Sequence, residues 1–309
     1  MSASGGRGAA VLERVLSVLI ARLIADTQDL SARLGKARSL LDAHGIATQA
    51  DEPDEGGLLE IRADTQDRQA LRGLLDAQFA PSDLLIADHL PAVPGLFVSD
   101  MDSTMIGQEC IDELADFAGL KHQVAAITDR AMLGELAFEP ALRERVLLLR
   151  DLSEDAIAEC LRTRIVPMAG AATLVATLKA LGCRTVLVTG GFHQFADPVA
   201  EQLGFEHVVG NRLEVANGQL TGGLVGPITD SSVKKAVLLQ EAALLGGGVT
   251  TLATGDGAND IPMLEAATYG LAYRAKPKAR AAADGWIDRG DLTAVLSLLG
   301  IPEREWVRA

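Results

Sequence analysis

The sequence predicts an α/β protein, in which a doubly wound parallel sheet follows a smaller α+β module. Two features of the hydrophobic pattern support this prediction. After residue 95, short and continuously apolar runs alternate with helical segments, which is typical of buried parallel strands. These runs are LFVSD (96–100), CRTVLVTGG (183–191), VTTLATGD (249–256) and YGLAY (269–273). Before residue 91, shorter elements follow a different order, so we expect a separate module there.

The first ninety residues read as strand, helix, strand, strand, helix and strand. The segments are AVLERVLSVLIA (10–21), DLSARLGKARSLLDAHG (29–45), IATQAD (46–51), LLEIRA (58–63), DRQALRGLLDAQ (67–78) and SDLLIA (82–87). This order predicts a ferredoxin-like βαββαβ module, with both helices on one face of an antiparallel sheet. A charged turn at 51–57 separates the middle strands, and the two prolines in 88–95 indicate a linker. We therefore predict domains at 1–90 and 91–309.

Residues 108–166 interrupt the α/β alternation directly after its first strand. They are largely helical and rich in charge, whereas the later helices AATLVATLKALG (171–182) and VKKAVLLQEAALLG (233–246) belong to the α/β pattern. An insertion at this place stands over the carboxyl edge of the sheet. We expect it to be a helical cap that acts as a lid.

Composition limits the classes of partner. A chain of 309 residues suggests about two domains, at roughly 150 residues for each. Its formal charge of −14 argues against nucleic acid or an anionic membrane as partner, because both repel an acidic surface. A small anionic substrate would then need a local cation in its site.

The cysteines indicate a reducing compartment. Cys110, Cys160 and Cys183 are an odd number without CxxC spacing, in apolar or helical surroundings, so we expect buried thiols and a cytoplasmic protein. The apolar stretch 11–25 is interrupted by Glu13 and by two arginines. This predicts neither a membrane span nor a targeting segment.

Three of the predicted strands end in polar or glycine clusters. Asp100 and Asp102 follow the first strand, Thr189 precedes two glycines, and Asp256 and Asp260 follow the third strand. Ligands of open α/β sheets bind outside the carboxyl ends of the strands, so these clusters should meet at one site. Four carboxylates in one place repel each other unless a hard cation lies between them. Oxygen ligands without cysteine or histidine favour Mg²⁺ over zinc.

The same residues suggest phosphoryl chemistry. Thr189 and the amides after it offer a phosphate-binding turn, and Lys234 or Lys235 can supply a fixed positive charge. If the chain stays extended, Asp100 and Asp102 point to one side. One carboxylate can then attack a phosphate while the other protonates the leaving alkoxide.

Four motifs, DMDST, TGGF, VKK and GDGAND, occur in this order on the predicted strand ends. Together they resemble the haloacid dehalogenase (HAD) superfamily of aspartyl-phosphate hydrolases. With the segments DMDSTMIGQECIDELADFAG, FEPALRERVLLL, NRLEV and YRAKPKARAAAD, the chain resembles the phosphoserine phosphatase family over residues 96–299. The resemblance implies Mg²⁺-dependent hydrolysis of O-phospho-L-serine through an aspartyl phosphate, the last step of L-serine biosynthesis.

The resemblance also implies a role for each matching position. Asp100 would be the nucleophile and Asp102 the general acid and base. Mg²⁺ would be held by Asp100, the carbonyl of Asp102, and Asp256, with Asp260 supporting the metal shell. The phosphate would be bound by Gly190, Lys234 and Asn259. It would also be bound by Thr189, which stands where the family usually has a serine.

In the cap, the resemblance implies which residues bind the serine part of the substrate. Glu109 would bind the ammonium and Arg145 the carboxylate, which agrees with the bidentate grip of guanidinium on carboxylate. Met132 and Phe138 would form an apolar wall. The first ninety residues resemble an ACT-like module in element order only, so serine sensing and homodimerisation through this module both stay open.

Two other functions compete with this interpretation. A phosphotransferase or a broader phosphomonoesterase with the same cap would need the same core residues. A catalytically inactive, amino-acid-binding regulator is a third class. The intact aspartates at 100 and 256 argue against it, because loss of catalysis usually alters such residues.

Overall fold

The computed structural model describes residues 18–54, 56–132 and 135–308, with the side chains at 129, 131 and 132 outside the description. The predicted first strand, 10–21, lies partly outside this range. The described first strand is β1 (Val18–Ile24).

The N-terminal module has the predicted order of elements. After β1 come, in chain order, α1 (Leu30–Ala43), β2 (Thr48–Ala50), β3 (Leu58–Asp64), α2 (Arg68–Phe79) and β4 (Asp83–Ala87). The strands are antiparallel, in the spatial order β2-β3-β1-β4. Each helix buries its inner face through leucines spaced one turn apart. These are Leu30 and Leu34 in α1, and Leu71 and Leu75 in α2.

The remainder of the chain forms the α/β core and the cap. Its elements are, in chain order, β5 (Leu96–Ser99), α3 (Cys110–Phe117), α4 (Lys121–Met132), α5 (Phe138–Leu148), α6 (Asp155–Arg164), α7 (Ala171–Ala180), β6 (Arg184–Phe192), α8 (His193–Leu203), β7 (His207–Asn211), β8 (Leu213–Ala216), β9 (Gln219–Leu224), α9 (Ser231–Leu244), β10 (Thr251–Gly255), α10 (Ile261–Ala266), β11 (Tyr269–Tyr273), α11 (Pro277–Ala282), β12 (Gly285–Ile287) and α12 (Ala294–Leu299).

The two sheets are joined into one. Within the described residues, ten strands form a single sheet in the order β2-β3-β1-β4-β12-β11-β10-β5-β6-β7. From β12 to β7 all neighbours are parallel, as predicted for the doubly wound core. The junction is antiparallel, with Leu84 of β4 opposite Trp286 of β12. The predicted linker, 88–95, therefore connects modules that already share a sheet.

Two apolar layers cover this sheet. On one face, α1 and α2 share a core with α9, α10 and α11. On the other face, α7, α8 and α12 share a core with the cap. The central strands β5, β10 and β11 have no exposed residue, which explains why their sequences are continuous apolar runs rather than alternating ones.

The module and the core also meet through side chains around Trp286. The guanidinium of Arg280 lies 3.8 Å from the centre of its ring, and that of Arg72 lies 4.7 Å away. Arg280 forms an ion pair at 2.8 Å with Asp76 of α2. Since α11 carries Arg280, the N-terminal module holds a helix of the core directly.

The stretch predicted to be a largely helical cap forms four helices, α3 to α6. A hairpin from later in the chain, β8–β9, packs beside it, and the sequence analysis did not predict this hairpin. The hairpin turns at Asn217 and Gly218, with φ of 53° and 75°. Backbone hydrogen bonds between Leu220 and residues 151 and 152 fix it beside α5. In the described part of the chain, no helix has both the length and the apolar character needed to cross a membrane.

Candidate active site

The site begins where the central strand β5 ends. Asp100 follows its last residue, and the Asp100 N–H donates a hydrogen bond to the Thr254 carbonyl of β10 at 2.9 Å. Asp100 as a whole is 4% exposed. Loss of water and the charge of Asp260 raise the pKa of Asp100, and Lys234 opposes this shift.

Lys234 brings α9 to the same point. The side chain of Asp230 caps α9 by accepting the N–H groups of Ser232 and Val233, and this places Lys234 in the first turn, facing inward. Its Nζ lies 2.5 Å from Asp100 Oδ1 and 2.7 Å from Asp260 Oδ1. Burial alone would lower the pKa of Lys234, but the two carboxylates raise it above its usual range. Lys234 is therefore a buried, fixed positive charge.

The turn after β10 supplies two more carboxylates. Asp260 Oδ2 accepts the backbone N–H groups of Asp256 and Gly257 at 3.2 and 3.0 Å. Position 255 must be glycine for this arrangement, since a Cβ there would lie 2.5 Å from Asp260 Cγ. Both oxygens of Asp260 are thus engaged by protein donors, and the residue serves to shape the turn.

Asp100, Asp256 and Asp260 form the described group of carboxylates best suited to a divalent cation. All three are buried, and one oxygen of each lies within 4.8 Å of the others. Burial raises the pKa of Asp256, and the charge of Lys276 opposes this shift. These oxygen-only donors fit Mg²⁺. The carboxylate of Asp102 lies outside this group, and its predicted role was through the carbonyl.

Asp100 and Asp102 lie after the end of strand β5, at the start of a turn, and not within the strand. Strand β5 ends at Ser99, and the chain then turns, with the N–H groups of Thr104, Met105 and Ile106 all donating to the Met101 carbonyl at 3.2, 2.8 and 3.1 Å. The strand must end there because residues 102–105 lead into the cap instead of along the sheet.

Asp102 nevertheless lies beside Asp100, the predicted nucleophile. The two carboxylates are close enough that the charge of Asp102 contributes to the raised pKa of Asp100. Loss of bulk water in the cleft, with repulsion from Glu109, raises the pKa of Asp102 to about 7. A carboxyl group with this property can hold a proton near neutrality and deliver it.

Strand β6 does not end before the predicted phosphate-binding residues but runs through them to Phe192, with a shift in register after Val188. The predicted phosphate turn, Thr189–Gly191, is therefore an irregular segment of the strand. Thr189 is 1% exposed, and its Oγ1 accepts the N–H of Gly191 at 2.8 Å. The amide of Gly191 is therefore used within the turn, contrary to its expected role as a free donor. The Gly190 carbonyl accepts a hydrogen bond from Asn211 Nδ2 at 2.7 Å, which fixes this peptide from behind.

Glu109 and Arg145 lie at the cap side of the cleft. Glu109 precedes α3, and its Oε1 accepts a hydrogen bond from Ser103 Oγ at 2.9 Å. Arg145 is half-buried on α5, and its Nε donates to its own helix at the Ala141 carbonyl. Burial lowers the pKa of Arg145, while the nearby charges of Asp112 and Glu109 oppose the shift.

The two predicted wall residues are placed unequally. Phe138 opens α5, and its ring reaches the phosphate turn, since a Cβ at Gly190 would lie 3.4 Å from Phe138 Cζ. Met132 is the last residue of α4, but its side chain lies outside the described residues.

Two exposed residues, Asn259 and Lys276, lie at the edge of the site next to the buried carboxylates. Asn259 is exposed in the turn after β10, next to Asp260. Lys276, just before α11, directs its Nζ to within 3.6 Å of Asp256 Oδ2, and its N–H donates to the Asp256 carbonyl. Lys235 is exposed, whereas its neighbour Lys234 is buried.

Comparison with known proteins identifies the family. The model of the haloacid dehalogenase-like hydrolases matches residues 97–265, which include the carboxylates, the phosphate turn and Lys234. The chain belongs to the haloacid dehalogenase-like hydrolase family. Among its relatives, this hydrolase is 42% identical to the phosphoserine phosphatase of Albidiferax ferrireducens, over 73% of this chain and 95% of that protein. It is accordingly a phosphatase.

Solved structures resemble nearly the whole chain. A crystal structure of a HAD family hydrolase from Salmonella enterica serovar Typhi matches with a TM-score of 0.79 and 29% identity, over 92% of this chain and 98% of the other. A probable phosphoserine phosphatase from Vibrio cholerae matches with a TM-score of 0.73 and 33% identity, over 94% and 88%. The N-terminal module of this HAD hydrolase is therefore largely shared with both structures.

The sequence analysis missed three residues that support the site. Ser103 lies inside the quoted DMDST motif, Asn211 begins NRLEV, and Lys276 lies in YRAKPKARAAAD. The proline after Lys276 predicts a helix start, which could have placed this lysine at a strand end near Asp256. For Asn211 the contact with Gly190 joins two separate strands, which no local pattern records. Ser103 and Glu109 lie in the same quoted segment, but their contact depends on the turn between them.

Proposed function

We propose that this phosphatase hydrolyses O-phospho-L-serine to L-serine and phosphate, with Mg²⁺, through an aspartyl phosphate on Asp100, as the last step of L-serine biosynthesis. The observation that carries the proposal is the pairing of a phosphate site in the core with two opposite charges in the cap. Glu109 suits an ammonium and Arg145 suits a carboxylate, which is the charge pattern of an amino acid. The curated relatives that are phosphoserine phosphatases support the same substrate.

The nucleophile must approach a dianion despite like-charge repulsion. At about 4 Å, each pair of unit charges repels by roughly 4 kcal/mol at an effective dielectric of 20. Lys234 offsets this repulsion beside Asp100, and a divalent cation held by Asp100 and Asp256 would supply further positive charge to the phosphate oxygens. The Thr189 hydroxyl and the Gly190 amide would orient the phosphate for in-line attack.

Asp102 lies where it can transfer the proton in each of the two steps. As Asp100 Oδ forms its bond to phosphorus, the bond from phosphorus to the serine oxygen breaks, and Asp102 gives its proton to that oxygen. Asp102 then takes a proton from the water that attacks the phosphorus of the aspartyl phosphate. Phosphate leaves, and both carboxyl groups return to their starting states.

Phosphate release from four esters tests this proposal. The substrates are L-phosphoserine, phosphothreonine, phosphotyrosine and a sugar phosphate, each with Mg²⁺ and with EDTA, for the wild type and Asp100→Asn. We expect metal-dependent release confined to phosphoserine and abolished by the substitution. Equal activity on all four would indicate a broad phosphomonoesterase. A phosphorylated product from an added alcohol would indicate a phosphotransferase.

A further inference from the structure

Ser103 closes the loop between the general acid and the cap. Its backbone is left-handed, with φ of 56°, which is uncommon for a residue other than glycine. In this conformation its N–H donates to the Gln108 carbonyl at 3.2 Å, and its Oγ donates to Glu109 Oε1 at 2.9 Å. Ser103, at the start of the loop that leads from Asp102 to α3, is thus hydrogen-bonded to both residues at the end of that loop.

The other end of this loop is fixed to the second crossing between core and cap. Gln108 Oε1 accepts the Val166 N–H at 2.9 Å, and the Gly107 N–H donates to the Val166 carbonyl at 3.1 Å. The backbone around Glu109 is therefore well defined. Its side chain alone keeps freedom, because it makes no capping bond to α3.

The Ser103 hydroxyl removes part of this freedom in a particular way. Glu109 is exposed, and a glutamate side chain loses conformational entropy when it is ordered on binding. The hydrogen bond holds one oxygen, Oε1, and leaves Oε2 able to accept from a ligand. A carboxylate held in advance binds a cationic group more tightly, because less ordering accompanies binding.

We propose that Ser103 is a positioning residue for selectivity: it holds Glu109 so that the site prefers phosphate esters bearing an ammonium group. The inference rests on the proposed function. Since Ser103 directly follows Asp102 in the chain, the distance from the departing ester oxygen to the ammonium receptor is set within one loop.

Two substrates that differ at one group test the proposal. O-Phospho-L-serine and 3-phosphoglycerate share the carboxylate and the phosphate, but the second has a hydroxyl in place of the ammonium. For Ser103→Ala we expect kcat/KM on phosphoserine to fall about 5- to 20-fold, mainly through KM, as for loss of a partly exposed hydrogen bond to a charged group. On 3-phosphoglycerate the change should stay within about twofold. If the hydrolysis of 3-phosphoglycerate is too slow to measure, the inhibition constant of 3-phosphoglycerate against phosphoserine hydrolysis gives the same comparison.

Two further variants separate positioning from a merely structural role. Ser103→Gly also lacks the hydroxyl but favours a positive φ, so it should lose the same selectivity without backbone strain. In a Glu109→Gln background, Ser103→Ala should have almost no further effect on the preference between the two esters. Ser39→Ala, whose hydroxyl bonds only within α1, is the matched control and should leave both rates unchanged.

The outcomes distinguish the two proposals. A wild-type enzyme that treats both esters alike would refute phosphoserine as the substrate. A wild type that prefers phosphoserine, together with Ser103 variants that lose activity equally on both esters, would overturn the role of Ser103 and leave the proposed substrate standing. Selective loss on phosphoserine in both variants supports both.

Discussion

Lys234 Nζ lies 2.5 Å from Asp100 Oδ1, and both side chains are almost completely buried. A lysine in the first turn of a helix is disfavoured by the helix dipole, so the position is held by its carboxylate partners. Asp260 provides the second contact, at 2.7 Å. The pair therefore couples the start of α9 to the proposed nucleophile at the end of β5.

Lys234→Met should lower the turnover of phosphoserine about 100- to 1,000-fold, because the charge that offsets the approach of the dianion is lost. It should also destabilise the fold by about 3–5 kcal/mol, since two buried carboxylates lose their partner. Phosphate release and urea unfolding measure the two effects. Lys235→Met, at the exposed neighbour, is the control and should change neither by much.

Asp102→Asn should slow the hydrolysis of phosphoserine by about 10²- to 10⁴-fold, because the serine alkoxide needs a proton as it leaves. An ester with a good leaving group, p-nitrophenyl phosphate, should suffer much less in its first step. Single-turnover release of the alcohol measures this step for both esters. An equal loss on both would show that Asp102 is not the acid.

Mg²⁺ should raise the melting temperature of the protein in the absence of substrate. A ligand at 100 times its Kd stabilises the native state by about 2.7 kcal/mol, which corresponds to roughly 5–10 °C for a domain of this size. Differential scanning calorimetry with Mg²⁺ and with EDTA measures the shift. Asp256→Asn should reduce it, and an unchanged shift would place the cation elsewhere.

Arg280→Ala should destabilise the protein by about 1–3 kcal/mol, because it removes both the Asp76 ion pair and the stacking on Trp286. Lys278→Ala, an exposed position on α11, should stay within about 0.5 kcal/mol of the wild type. Denaturant unfolding gives both values. Equal effects would mean that the module contributes little through this contact.

The three thiols should react slowly with iodoacetamide in the native protein. Burial raises the pKa of Cys160 to about 11 and that of Cys183 to about 12, and it raises the pKa of Cys110 as well. At pH 8 the reactive thiolate is then rarer than for a free cysteine by on the order of 100-fold at Cys160 and 1,000-fold at Cys183. Labelling of Cys160 should rise tenfold per pH unit up to about pH 11. Mass spectrometry follows each site, and protein unfolded in urea is the positive control.

Much of the core was predictable because its signals are local. Buried parallel strands need continuous apolar runs, and β5, β10 and β11 show them, so Asp100 and Asp256 could be placed at strand ends from the sequence. The choice between Lys234 and Lys235 was harder. Helical phase decides it, and this phase depends on the Asp230 cap.

The unpredicted parts depend on contacts between distant segments. The hairpin β8–β9 carries an Asn217-Gly218 turn, which is a recognised hairpin signal, but its strands are short and only partly buried. Strand β12 has three residues, too few for a pattern, and exists because β4 and β11 flank it. The turn after Ser99 is likewise set by the entry into the cap.

The junction of β4 with β12 has a consequence for synthesis. Residues 83–87 leave the ribosome about 200 residues before their partners at 285–287, at roughly 5–20 residues per second. Until then the nascent module displays an unpaired strand edge, which invites association with other chains. Asp83, whose carboxylate accepts the N–H groups of Arg289 and Gly290 in the finished protein, stays hydrated in the meantime. The charge of Asp83, at the start of the unpaired strand β4, would discourage premature pairing between nascent chains.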